Sequence, residues 1–213
     1  MRKEYFEEGE FYHIYCRGVD KRVIFMNDRE YLRFAHSLYI FNNFLHLPAR
    51  FDIFSLEPKE LLTPVEPYVE IAAACLMPNH YHLMMTPRKK AGISQFMQKI
   101  GSSYAHYFNQ VHDRTGRLFE STFKAKHVDR QEYASYLTQY IHLNPVDLYS
   151  TKYSTGRDRL LSAVESYQWS SLPIYLGKTS PLSLAVSDKF RKEILDISSD
   201  DYRRFLKELY ENL

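Results

Sequence analysis

Apolar residues along the chain switch between a period of two and a period near 3.6, and the switches mark out its elements. Phe11-Tyr12-His13-Ile14-Tyr15-Cys16 is a run of strand formers stopped by Arg17-Gly18. From Asp28 onward, Tyr31, Leu32, Phe34, Ala35, Leu38, Tyr39 and Phe41 recur at helical spacing, with Asn27 or Asp28 available as N-cap. Tyr68 to Leu76 and His80 to Met85 are two apolar runs joined by Met77-Pro78-Asn79, the pattern of a hairpin. A second helix begins near Ile93, carries Phe96, Met97, Ile100, Tyr104, Tyr107, Phe108 and Val111 on one side, and ends at Asp113-Arg114-Thr115-Gly116. Leu118 to Val128 reads as a fourth strand. Asp129 with Glu132 forms an acidic capping box for a third helix, from Arg130 to about Asn144.

The order strand, helix, strand, strand, helix, strand is that of a ferredoxin-like split βαβ sheet with strands one and three at its centre, an α+β fold, here followed by an added helix. Residues of about 44–67 hold Pro48, Pro58, Pro64 and Pro67 and sustain no period, so they read as a long insertion with at most a short strand at 51–54. Residues 1–146 then make the principal domain and 147–213 a C-terminal extension. In the extension a loop of Tyr, Ser, Thr, Gly and Arg precedes Tyr167-Gln168-Trp169-Ser170-Ser171, and helical patterns follow near 187–197 and 199–212.

A length of 213 residues suits this organisation, and a formal charge of +2 does not by itself announce a nucleic-acid binder. Basic residues nevertheless cluster: Arg17, Lys21 and Arg22; Arg88-Lys89-Lys90; and Arg114, Arg117, Lys124 and Lys126. Each cluster can be a solvated face or a phosphate-binding surface. With Tyr 18 and Phe 14, the aromatic content fits base stacking and also a plain aromatic core. Cys16 and Cys75 are too few and too far apart for a zinc knuckle or a disulfide framework. The N-terminus MRKEYFEEGE lacks the apolar core of a signal peptide, and no run reaches the roughly 18 apolar residues of a membrane span. The expectation is a cytoplasmic protein with no membrane partner.

The chemistry concentrates in two places. His80 and His82, at i and i+2 of a strand, project from one face, where two imidazoles can ligate one divalent cation or simply fill a half-buried sheet. On the third helix Tyr133, Tyr136, Leu137, Tyr140 and Asn144 share a side, a stripe that is more often packing than catalysis.

PNHYHLMM upstream and Tyr140-Ile141-His142-Leu143-Asn144-Pro145-Val146 after a capped helix together resemble the single-tyrosine HUH transposases, especially the REP-associated tyrosine transposases of bacteria. Tyr12 to Lys21, Gly116 to Glu120 and Trp169-Ser170-Ser171 agree, so the similarity spans roughly residues 8 to 176. The resemblance implies a ferredoxin-like core, a divalent cation on His80 and His82, and Tyr140 as nucleophile. It implies single-stranded DNA hairpins as partner and leaves monomer and homodimer both open. Asn144, one helical turn beyond Tyr140, is the candidate third ligand through its amide oxygen, although Asn before Pro145 is also a good helix-ending residue. A mixed N/O site admits Mn2+ or Mg2+, with imidazole favouring manganese. Candidate DNA contacts are Arg17, Lys21, Arg88, Lys89, Arg117, Lys124 and Lys126.

A tyrosine can attack a phosphodiester to give a 5′-phosphotyrosyl link and a free 3′-hydroxyl, a bond that can later be rejoined without an external energy source. A histidine-triad nucleotide hydrolase would need a third histidine where Met84 stands. A hairpin-binding descendant without turnover would have no reason to keep His80, His82 and Tyr140 together.

Overall fold

A computed structural model describes residues 5–42, 67–150, 156–186 and 188–211 of the protein. The expected insertion, with its short strand at 51–54, lies almost wholly outside the described residues. Among them, β1 (Phe11–Arg17), β2 (Val69–Met77), β3 (His80–Pro87) and β4 (Lys124–Val128) form one sheet in the order β2-β3-β1-β4. All neighbouring pairs are antiparallel. Helices α1 (Asp28–Ile40) and α2 (Gly92–Val111) follow β1 and β3, and α3 (Gln131–Leu143) follows β4. This is the α+β arrangement expected from the order of elements, with β1 and β3 at the centre.

The strand alternation decides which helices cover which face. Ile14, Tyr81 and Leu83 are fully or almost fully buried on the face covered by α1 and α2, where the Phe34 and Tyr81 rings stand 5.0 Å apart. Register places Arg17 opposite His80, Tyr15 opposite His82 and His13 opposite Met84, so these six share the other face. Across that face lies α3, whose Thr138 hydroxyl reaches the Met84 sulfur at 3.4 Å. One face is therefore a plain aromatic and aliphatic core, whereas the other carries the polar residues.

The tail is built against this frame. Helices α4 (Val146–Tyr149), α5 (Arg157–Glu165), α6 (Leu172–Tyr175) and α7 (Ser199–Glu211) accompany a π-helical turn at Phe190–Ile194. Segment 167–176 covers the outer edge of β2, which would otherwise expose unpaired backbone groups. Leu76 donates its N–H to the Trp169 carbonyl at 2.8 Å, Ser171 donates to Ala74 at 2.8 Å, and the Tyr167 and Tyr175 hydroxyls donate to Leu76 and Ala72. A buried relay ties α7 to α3: His142 bonds the Tyr202 hydroxyl through Nδ1 at 2.6 Å and the Ser171 hydroxyl through Nε2 at 2.7 Å.

Four local expectations are corrected. The fourth strand starts only at Lys124, because Leu118, Phe119 and Phe123 bury their side chains from an irregular segment whose backbone is held by Val19 and Arg17. The N-cap of α3 is Arg130, with no side-chain cap from Asp129. The helical pattern near 187–197 reduces to the π-turn, while α5 forms where a loop was expected.

Candidate active site

β3 begins immediately after a two-residue turn, Pro78-Asn79, so His80 and His82 leave the sheet at its end and on one side. Their ring centroids are 5.0 Å apart and perpendicular. The turn is pinned from outside: Gly18 donates its N–H to Asn79 at 2.9 Å, and Ile24 donates to Pro78 at 2.7 Å. A Cβ on Gly18 would lie 2.4 Å from the Arg22 carbonyl oxygen, so only glycine permits this approach. Asp20 and Lys21 follow in left-handed conformation, with φ of 56° and 58°. That curl brings the Lys21 carbonyl within 3.3 Å of the Asn79 Nδ2 donor.

Each histidine of the pair has its Nδ1 held by a neighbour. His80 Nδ1 lies 2.6 Å from Asn79 Oδ1, and His82 Nδ1 lies 2.8 Å from Nε2 of a third histidine, His13. His13 and His82 are 8% and 7% exposed, so neither ring can take a charge cheaply. Burial, with the nearby Lys126 cation, holds His13 down to about 4. Burial, followed by His13, His80 and Arg17, holds His82 down to about 2. For His80, burial and Arg17 lower the pKa while a side-chain hydrogen bond with Asn144 and the charge of Asp147 oppose them. All are neutral near pH 7, the state in which imidazole offers a lone pair to a metal.

Helix α3 brings Tyr140 and Asn144 to the pair. The Tyr140 ring meets His82 at 5.8 Å and His13 at 6.4 Å between centroids, edge to face in both cases. The tyrosine stripe is only partly packing: Leu137 is in the core and Tyr133 packs against it, whereas Tyr136 and Tyr140 are 44% and 40% exposed. Burial, then Asp147 and Tyr136, raise the Tyr140 phenol above its ordinary pKa, and Arg17 works against them. Asn144 ends the helix and stands beside His80. It is the C-cap residue of α3, its Nδ2 donates to the Tyr140 carbonyl at 2.9 Å, and its side chain also reaches His80. It keeps right-handed helical angles despite the following Pro145, so the chain continues directly into α4.

The basic candidates divide. Arg17 ends β1 opposite His80 and acts electrostatically on His80, His82 and Tyr140. Lys21 holds the Asn79 side chain through its carbonyl. On the edge strand β4, Lys124 stands opposite Tyr15 and Lys126 opposite His13, on the face of the histidines. Lys126 also lies over the Tyr133 ring, 4.6 Å from its centroid, and Lys124 is paired with Glu120 at 2.7 Å. Arg88 and Lys89 are not brought there. They follow the far end of β3, about 25 Å away at ~3.3 Å per residue, where Arg88 pairs with Glu70 and Lys89 covers the Tyr68 ring. Arg117 lines a cleft of about 600 Å³ between α2 and the segment 117–123, away from the histidine face.

Among the described residues no three His, Cys, Asp or Glu side chains converge as a metal-ligand group. The donor set at the site is instead two neutral imidazoles and one amide, which fits a borderline or hard divalent cation with positions left for phosphate oxygens. His13 and the fixed amide of Asn79 are the site residues that the sequence patterns do not single out. The one signal is that His13 stands in phase with Tyr15 and Arg17 along its strand, and it becomes a neighbour of His82 only through the β1 to β3 register.

Comparisons with known proteins bear on the fold that carries this histidine pair and tyrosine helix. Residues 65–144, from just before β2 to the end of α3, match the model of the family described as transposase IS200 like. A solved structure of a REP-associated tyrosine transposase bound to a REP hairpin superposes with a TM-score of 0.51 at 14% identity, covering 80% of this chain and 81% of that one. At that identity the likeness is one of fold. No curated protein matches the sequence. No helix among the described residues is long and apolar enough to cross a membrane.

Proposed function

We propose that the protein is a metal-dependent single-strand DNA endonuclease and strand transferase acting through Tyr140. The observation that carries this reading is the placing of Tyr140 over His82, with Asn144 one turn along and beside His80, all within one chain. Tyr140 Oη attacks a backbone phosphorus and the bond to the 3′ oxygen breaks, so that one phosphate ester replaces another. The phenol gives up its proton and the departing 3′ oxygen gains one, leaving a 5′-phosphotyrosine and a 3′-hydroxyl. The phenol is held above its ordinary pKa, so Tyr140 enters the reaction protonated. Arg17, at the same face, opposes that upward shift and stabilises negative charge on the phenol oxygen or the phosphate.

His80, His82 and Asn144 would hold Mn2+ or Mg2+, and the chemistry such a cation supplies is polarisation of the phosphate and neutralisation of developing charge. The substrate we assign is single-stranded DNA folded into a hairpin, in transposition or in processing of repeat elements. The family match over residues 65–144 and the hairpin bound by the structural neighbour support it. We assign the protein a place on the chromosome, in the cytoplasm of a bacterium, in keeping with that substrate. We take residues 1–146 as the catalytic unit, with the extension as its brace against β2 and α3.

Incubation with labelled single-stranded hairpins and Mn2+ should give a covalent adduct on a denaturing gel. Tyr140→Phe keeps the ring and removes the reactive oxygen, so adduct and cleavage should vanish while binding persists. An adduct mapped to Tyr136 in the unmutated protein would sink the assignment.

A further inference from the structure

We infer that Asn79 and His13 are positioning residues that hold His80 and His82 in one tautomer, protonated at Nδ1, so that both Nε2 lone pairs face outward for a single divalent cation. The inference rests on the metal site of the proposed function and adds the residues that set its geometry.

Asn79 carries the first half. Its amide orientation is fixed, because Nδ2 donates to the Lys21 carbonyl, leaving Oδ1 as the atom 2.6 Å from His80 Nδ1. A carbonyl oxygen only accepts, so the proton between them belongs to His80 Nδ1, and the Asn144 side chain, which also reaches this ring, then stands beside the Nε2 lone pair as a fellow donor to the cation. The left-handed backbone at Lys21 thereby acquires a purpose, since it turns the carbonyl that orients the amide.

His13 carries the second half. Its Nε2 is 2.8 Å from His82 Nδ1, and the two rings are inclined by only 24°, which suits an in-plane N–H to N bond. Between two neutral imidazoles one nitrogen donates and the other accepts. Were His13 the donor, His82 would carry its proton on Nε2 and have no lone pair outside that bond. With His82 as donor, it presents Nε2 as His80 does, and His13 keeps its own proton on Nδ1. Only this second arrangement makes both members of the pair ligands at once. His13 is not itself a third ligand, because its Nε2 is already turned onto His82. Both supports sit on rigid parts of the fold, the centre of β1 and a two-residue turn fastened to the β1 exit.

Long-range proton–nitrogen correlation spectra of the full chain labelled with 15N-histidine, without metal, read the tautomers directly. His80, His82 and His13 should all show the Nδ1–H pattern; an Nε2–H pattern at His80 or His82 would overturn the inference. Mn2+ titration followed by electron paramagnetic resonance gives the second readout. His13→Leu and Asn79→Leu should weaken Mn2+ binding roughly 10- to 100-fold, the usual effect of removing an outer-shell partner. His13→Gln and Asn79→Asp, which retain an acceptor, should bind Mn2+ far more tightly than the Leu variants.

Unchanged affinity in folded Leu variants would overturn the positioning role while leaving the metal site intact. Three imidazole nitrogens coupled to Mn2+ in the wild-type protein would make His13 a ligand and overturn it as well. Absence of Mn2+ binding to the wild type would remove the metal reading itself, and this inference with it. Should the Leu variants fail to fold, the tautomers of the wild-type protein still decide.

Discussion

Asn144 shows how one side chain can serve helix and site together. Its Nδ2 donates to the Tyr140 carbonyl, while the rest of the amide is directed at His80. The two duties separate on mutation. Asn144→Ala and Asn144→Asp both lose the donor, and each should lower stability by about 1 kcal/mol, the net worth of one such bond. Only the alanine variant loses the oxygen, so it alone should raise the Mn2+ concentration needed for half-maximal cleavage, whereas the aspartate variant should match or lower it. Equal metal requirements in the two variants would reduce Asn144 to a helix end. At this scale the sequence was readable where placement follows local period. His80 and His82 are two apart on a strand, and Tyr140 and Asn144 are four apart on a helix. It was silent on Asn79 and His13, whose parts depend on an amide orientation and on a pairing register between segments far apart in the chain.

Helix α3 carries the proposed nucleophile, Tyr140, and its grip on the sheet depends on the tail. His142 lies fully buried between the Ser171 and Tyr202 hydroxyls, with the Tyr175 ring 4.7 Å from its own. Burial lowers its pKa to about 3. An unfolded chain would protonate this histidine below about 6.5, whereas the folded one does not until near its own lowered pKa. Stability from the neutral relay is therefore fully present above about pH 6.5 and falls as pH drops below it, by about 1.4 kcal/mol per unit for one proton. Urea unfolding at pH 7, 6 and 5 should show that decline, and a folded His142→Gln variant should show a slope shallower by one proton. Identical slopes would mean that His142 does not stay neutral in the folded state. This anchoring could not be read from the sequence. Ser171 stands in a motif noted only for its family resemblance, Tyr202 is one tyrosine of a charged tail helix, and α5 offers Leu160, Val164 and part of Leu161 to the core, too sparse a pattern to stand out. The strands and helices α1 to α3 were legible because each repeats its period over several turns or alternations. β4 was overextended because buried Leu118, Phe119 and Phe123 imitate strand alternation without pairing as one.

Over the whole molecule a formal charge of +2 hides an uneven distribution. Arg17, Lys124 and Lys126 lie on the histidine face, Lys21 at the turn beside it, and Arg88 and Lys89 at the opposite end of the sheet. Among the described residues the open edge of that face is β4, since segment 167–176 closes the edge of β2. A single strand leading to Tyr140 would then cross β4, meeting Lys126 beside Tyr133 and Lys124 near Tyr15. Each phosphate contact releases counterions, so the logarithm of affinity falls with the logarithm of salt by about 0.7 per contact on single strands. Neutralising Lys124 and Lys126 together should flatten that slope by up to about 1.4 and weaken binding at low salt. The Glu120 pairing of Lys124 makes its share the smaller of the two. Arg88→Gln with Lys89→Gln should leave slope and affinity unchanged, although both pairs belong to basic clusters that look alike in the sequence. Fluorescence anisotropy of a labelled hairpin with a single-stranded flank, titrated across a salt series, distinguishes them. Equal flattening by the two double variants would mean that the strand does not enter over β4, and that the far end of the sheet holds DNA as well.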